Sequence, residues 1–120
     1  MVKLTFALRR APHLSREEFQ RYWRDQHAPL VEKHREALGI RRYVQVHTLE
    51  TPANEALRAS RGAPAEYDGV AELWFDSAEL RGGEQARLAG AELLEDERRF
   101  IDLVNSPLWL SEEKPIFDGA

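Results

Sequence analysis

From Val2 to Leu8 the apolar positions Val2, Leu4, Phe6 and Leu8 alternate with Lys3, Thr5 and Ala7, a period of two that gives a strand one strongly apolar face. Ser15, with Glu18 three residues later, forms a capping-box pattern and predicts a helix opening at about Arg16. Phe19, Tyr22, Trp23, Gln26, His27 and Leu30 then recur at spacings of three and four, which aligns them along one side of that helix. Pro29 predicts a break or kink near His27, before a continuation from Val31 to Leu38 that Gly39 ends. On this reading His27 sits in a last helical turn, close to backbone carbonyls without partners.

Ile40 to Leu49 reads as a second strand, with Tyr43, Gln45, His47 and Leu49 on one face and Arg42, Val44, Val46 and Thr48 on the other. Residues 51–66 are rich in Ala, Pro, Gly and polar side chains, the composition of a long loop with room for a short helical turn. Tyr67 to Phe75 reads as a third strand. Asp68, Val70, Glu72 and Trp74 share one face of it, and Gly69, Ala71, Leu73 and Phe75 the other, unless a bulge at Asp68-Gly69 reverses the facing of Asp68 relative to Glu72. Asp76 and Ser77 begin a short turn interrupted by Gly82-Gly83, after which Leu94, Glu97, Ile101 and Val104 mark one side of a longer helix that Ser106-Pro107 stops. Leu108 to Phe117 reads as an irregular segment followed by a short edge strand.

The resulting order, βαββαβ, is that of an α+β ferredoxin-like domain over residues 1–120, with an antiparallel sheet that carries helices on one face. Its other face is left bare and predicts a partner subunit. The formal net charge of −4 gives no reason to expect attraction to nucleic acid or to anionic lipid. No apolar run approaches the ~20 residues of a membrane span. The chain has no cysteine, which removes disulfides and thiolate zinc sites. These features read as a soluble cytoplasmic protein.

The segments REEFQRYWRDQHAPLVEKH, RRYVQVHTL, YDGVAELWFDS and EDERRFID resemble, in order and spacing, the EthD domain family of dimeric α/β-barrel proteins. The resemblance runs from about Val2 to Asp102. It implies a homodimer whose two sheets face each other, with a pocket in each subunit between sheet and helices. Fungal members look like polyketide decarboxylases or dehydratases, and related barrels include cofactor-free monooxygenases, cyclases and lactone isomerases, so the fold alone selects no reaction. The positions matching the family's recurring polar residues are His27, Asp68 and Glu72.

Each candidate has a functional and a structural reading. His27 is a general acid or base, with an ordinary pKa of ~6.5, or it caps its helix. Asp68 and Glu72 lie about 13 Å apart along a strand, too far for a carboxylate dyad. The functional reading makes one of them the orienter of His27 and the other a substrate contact. The structural reading makes Asp68 a turn residue before Gly69, and pairs Glu72 with a cation. Tyr43 and His47 line the pocket if their strand face points at the helix. Tyr22, Trp23 and Trp74 hold a flat ligand or build core. His27 with His47, Asp68 or Glu72 could offer metal ligands, but no tight ligand spacing exists, and neither metal nor cofactor is expected. His13 and His34 receive no role.

The expectation is a cofactor-independent enzyme that decarboxylates, dehydrates, cyclises or isomerises a hydrophobic cyclic or polyketide-like molecule. The catalytic residues are His27, Glu72 and Asp68, and the substrate-binding residues are Tyr22, Trp23, Tyr43, His47 and Trp74. The alternatives are a cofactor-free monooxygenase acting on a phenolic substrate and a non-catalytic dimeric ligand carrier.

Overall fold

The computed structural model describes residues 1–119. Strand β1 (Val2–Leu8) is followed by helix α1 (Arg16–Tyr22), a π turn (Trp23–His27), α2 (Ala28–Lys33) and α3 (Arg35–Leu38). Then come β2 (Arg42–His47), α4 (Pro52–Arg61), β3 (Gly69–Phe75), α5 (Glu84–Glu97), a 3-10 turn (Leu103–Asn105) and β4 (Leu108–Ser111). The sheet order is β2-β3-β1-β4 and every neighbouring pair is antiparallel. This is the α+β ferredoxin-like arrangement, and among the described residues no helix is long and apolar enough to cross a membrane.

The side-chain alternation of the strands decides where the site lies. Phe6 and Leu8 of β1 and Ala71 of β3 pack with Phe19, Trp23, Phe100 and Ile101. Phe75 packs with Val31, Ile40 and Leu93 in a second cluster, against which Leu4, Tyr43 and Leu73 also pack. The face of β2 that carries Tyr43, Gln45 and His47 therefore looks toward the helices. Gly69 lets the first cluster close: a Cβ there would stand 2.5 Å from Trp23 Cζ3, so the indole rests directly on the strand backbone.

Helix α1 opens as its sequence predicts, with Ser15 and Glu18 forming a reciprocal capping box. The expected break at Pro29 is replaced by a π turn, in which Ala28 N–H donates to the Trp23 carbonyl. Pro29 has no N–H to return to Asp25, and its ring would crowd that carbonyl in a regular α-helix. The wider turn avoids this clash, so His27 lies inside a continuous helical path rather than at its end.

Three further expectations change. Residues 52–61 form α4, started by Thr51 and Pro52 and closed by Gly62 at φ 59°; the Ala and Pro content had disguised ordinary helix stop and start signals. Helix α5 ends at Glu97 and buries Ala86, Ala89, Leu93 and Asp96, while Leu94 faces out and Val104 is 95% exposed. In the last segment the strand comes first, because Leu108 to Ser111 pair with β1.

The sheet face away from the helices carries Lys3, Thr5, Val44, Val46, Glu72, Trp74 and Trp109, by alternation along the four strands. It is mixed rather than uniformly apolar. Lys3 pairs with Glu72 at 2.5 Å, and the Arg42 guanidinium lies 4.5 Å from the Trp74 ring centroid.

Candidate functional site

Trp23 and His27 both project from the π turn into the layer between helices and sheet, where they are 1% and 5% exposed. The His27 ring packs against Phe100, with centroids 5.0 Å apart. Its Nδ1 lies 2.7 Å from Asp96 Oδ2, on α5. The same carboxylate accepts a hydrogen bond from the Tyr22 hydroxyl at 2.6 Å and one from Arg99 Nη1 at 3.0 Å, both at Oδ1.

This arrangement fixes the imidazole chemically as well as sterically. Asp96 accepts only, so Nδ1 carries the proton and the neutral ring leaves its lone pair on Nε2. Among the described residues Nε2 makes no hydrogen bond, and every fully buried side-chain nitrogen or oxygen has a partner. Nε2 is therefore not fully enclosed, and the His27 side chain lines a cavity. Burial lowers the His27 pKa, against the raising influence of the Asp96 hydrogen bond and charge, so the ring is a neutral base at neutral pH. Burial alone would raise the Asp96 pKa, but the hydrogen bonds from Tyr22, His27 and Arg99 hold it below the ordinary aspartate value.

The cavity has a volume of about 180 Å³ and lies between the two core clusters. Its walls are apolar, built from side chains such as Phe6, Trp23, Leu73, Leu93 and Ile101. Its polar groups come from His27, Tyr43, Arg81 and Glu97. Leu80 and Leu108 also line it and are 55% and 54% exposed, which marks its mouth. An apolar cavity of ~150 Å³ can hold a benzene ring, so this one suits a molecule of about one ring.

Of the residues singled out in the sequence, His27, Trp23 and Tyr43 line the cavity. Tyr22 stands behind it, holding Asp96. His47 stacks on Trp23 with centroids 4.6 Å apart and bonds Gln45 at 2.8 Å, outside the cavity lining. Trp74 lies on the opposite face of the sheet, where its indole N–H donates to Glu113.

The expectation that Asp68 or Glu72 orients His27 is corrected by the geometry. Asp68 is buried among arginines: Oδ2 accepts from Arg10 N–H at 2.8 Å and Oδ1 from Arg16 Nε at 2.9 Å. Glu72 faces Lys3 across the outer side of the sheet. Both carboxylates are thus occupied elsewhere, and Asp96 takes the place beside His27. The missed signal was helical phase. Ala86, Ala89, Leu93, Asp96 and Phe100 recur at spacings of three and four, so Asp96 is a charged residue on an apolar helix side. Among the described residues, no group of three or more His, Cys, Asp or Glu side chains is placed to hold a metal ion.

The model of the EthD domain matches residues 11–104. The chain belongs to the EthD domain family. Two solved structures share its fold. One is an ethyl tert-butyl ether D (EthD) family protein from Bacillus halodurans C-125, with a TM-score of 0.61 and 20% identity over 95% of this chain and 99% of that one. Another is an EthD-like protein from Ralstonia eutropha JMP134, with a TM-score of 0.58 and 22% identity over 92% of this chain and 89% of that one. No curated protein sequence matches the chain.

Proposed function

We propose that this EthD domain is a cofactor-independent enzyme of proton transfer acting on a small hydrophobic cyclic molecule. The observation that carries the reading is His27. Its Nδ1 is held 2.7 Å from a buried carboxylate, and its free Nε2 belongs to a ring that forms part of an apolar cavity wall. Nε2 takes a proton from the bound molecule, and the imidazolium so formed is stabilised by the Asp96 carboxylate at Nδ1. Dehydration, cyclisation and isomerisation contain such a step, and decarboxylation needs its reverse, delivery of a proton to the carbon that loses CO2. Trp23 and Tyr43 shape the binding space, and the 180 Å³ volume favours a single ring over a larger polyketide.

A homodimer that pairs the outer sheet faces belongs to this reading. Val46 and Trp109 on that face are 46% and 48% exposed, and a second copy of the chain would cover them. A cytoplasmic setting is part of it as well.

The test is turnover of nitrobenzisoxazole, a compact bicyclic aromatic probe. In its elimination a base removes the ring C–H proton, the electron pair forms a nitrile, and the N–O bond breaks to release a phenolate. The wild type should cleave it faster than the same concentration of free imidazole, and His27→Ala should remove about a hundredfold or more of that rate while keeping the fold. Equal rates for wild type and His27→Ala would instead favour a carrier that binds its ligand unchanged.

A further inference from the structure

We infer that Glu97 is a second proton-carrying group of the cavity, supplying a proton to the bound molecule after His27 has taken one. This inference rests on the proton-transfer reading above and deepens it.

Glu97 follows Asp96 at the C-terminal end of α5. Successive helical residues turn by about 100°, so the adjacent carboxylates diverge: Asp96 toward His27, Glu97 to the cavity. Leu93, four residues before Glu97, and Ile101, four residues after it, line the same cavity. A leucine at position 97 would complete that apolar wall. The position holds a carboxyl group instead, and its side chain takes part in no hydrogen bond or ion pair among the described residues. The nearby cations are engaged elsewhere: Arg98 with Glu95 at 3.6 Å, Arg99 with Asp96 at 3.0 Å, and Arg81 with the Glu36 carbonyl at 2.8 Å. An unpartnered carboxyl in an apolar wall weakens a fold, and such groups concentrate at functional sites.

The charged and titratable groups around it are Asp96 on α5, Arg98 just after that helix, His27 on the π turn, Tyr43 on β2 and Arg81 at the cavity edge. Strands β1 and β3 present only apolar side chains to the cavity. Burial, and then the charge of Asp96, push the Glu97 carboxyl up to about 7, with Arg98 opposing. Near neutral pH a large share of Glu97 is therefore protonated while His27 is neutral, so an acid and a base are present together.

The step balances without a further reactant. Nε2 of His27 takes the C–H proton, and the released electron pair forms a new π bond as the bond to a leaving oxygen breaks. That oxygen takes the proton of the Glu97 carboxyl. The imidazolium then gives up its proton and the Glu97 carboxylate regains one through solvent, which restores both groups.

Two measurements test this. The first is the pH dependence of kcat/KM for nitrobenzisoxazole in the wild type and in Glu97→Gln, whose amide resembles the protonated acid in shape but transfers no proton. The wild-type value should fall as pH rises through about 7, and the variant should lose that limb and about tenfold or more of the rate below it, while keeping the His27-dependent rise at lower pH. An unchanged profile in Glu97→Gln overturns the inference. The second, independent of turnover, is the carboxyl carbon-13 resonance of Glu97, titrated with and without nitrophenol as a ring-sized ligand. A midpoint near 7 that nitrophenol displaces supports a proton-carrying group in the cavity, even if the wild type proves inert toward the elimination probe and the enzyme reading fails. A midpoint in the ordinary glutamate range, or one that nitrophenol leaves in place, overturns the inference.

Discussion

The Tyr22 hydroxyl donates to the Asp96 carboxylate across 74 residues of sequence at 2.6 Å, and the other oxygen of that carboxylate holds His27. One aspartate on α5 thereby ties together the two sides of the π turn, and its state sets the tautomer of the imidazole that lines the cavity. Asp96→Asn keeps the shape but offers one acceptor where there were two, and its amide can present N–H toward Nδ1. The expected result is a loss of about a hundredfold or more in proton-transfer rate toward the elimination probe, with the fold retained by circular dichroism. Tyr22→Phe removes one donor and leaves the Nδ1 contact intact, so it should cost about 1–2 kcal/mol of stability in urea unfolding and less than tenfold in rate.

The same carboxylate gives a pH dependence of stability. Asp96 has a folded pKa below its ordinary value, so its contribution is fully present above the unfolded aspartate value of ~3.9 and is lost as pH falls through the lower, folded one. The folded pKa of His27 is also depressed, so charging that ring favours the unfolded chain as pH drops below ~6.5. Both groups act in the same direction. Glu97, pushed up to about 7, acts the opposite way between that pH and the ordinary glutamate range, so the expected outcome is a difference between variants: in thermal melts the stability of His27→Gln relative to the wild type should rise as pH falls from about 6.5 toward about 4.

Asp68 and Glu72 should behave as structural residues. Asp68 is 2% exposed and joins the β1–α1 connection, through Arg10 and Arg16, to the start of β3. Asp68→Ala leaves two guanidinium groups beside an empty site and should cost about 3–5 kcal/mol. Glu72→Gln alters only the half-buried pair with Lys3 and should cost about 1 kcal/mol or less. Neither variant, where folded, should change the rate constant for the elimination probe by more than a few fold. A hundredfold loss in Glu72→Gln would return that residue to the chemistry.

The contrast between these carboxylates shows what could be read in the sequence. The period of two in Val2–Leu8 and Tyr67–Phe75, the capping box at Ser15 and the resemblance of the chain's segments lead to the sheet and to α1 without tertiary information. His27 stands out because a histidine on an apolar helix side needs a partner. Identifying that partner needs the packing of the π turn against α5, elements with β2, α4 and β3 between them in the chain. Asp68 and Glu72 drew attention because both sit on one strand, yet the cations that neutralise them, Arg10, Arg16 and Lys3, lie in β1, just after it and in α1. Asp96 was visible only as a member of a charged run, Glu95-Asp96-Glu97-Arg98-Arg99, and Glu97 only as a polar position on the helix side shared with Leu94 and Ile101. The phase that turns one toward His27 and the other into the cavity depends on α5 ending at Glu97, and ends are the least legible part of a helix.

Gly69 supplies a prediction about the rigidity of the site. Trp23 Cζ3 and Cη2 would stand 2.5 and 2.9 Å from a Cβ at this position, and the Val46 carbonyl oxygen 3.0 Å. The strand backbone cannot yield without breaking the β2–β3 ladder, so Gly69→Ala should push the indole outward. Trp23 is both a wall of the cavity and the first residue of the π turn that holds His27, so the displacement reaches the ring that transfers the proton. The expected outcome is a stability loss of about 1–3 kcal/mol, as for other overpacked cores. Tryptophan fluorescence should shift, and kcat for the elimination probe should drop more than the KM changes. A variant with wild-type fluorescence and wild-type turnover would mean that the contact between Trp23 and the strand can relax without moving His27.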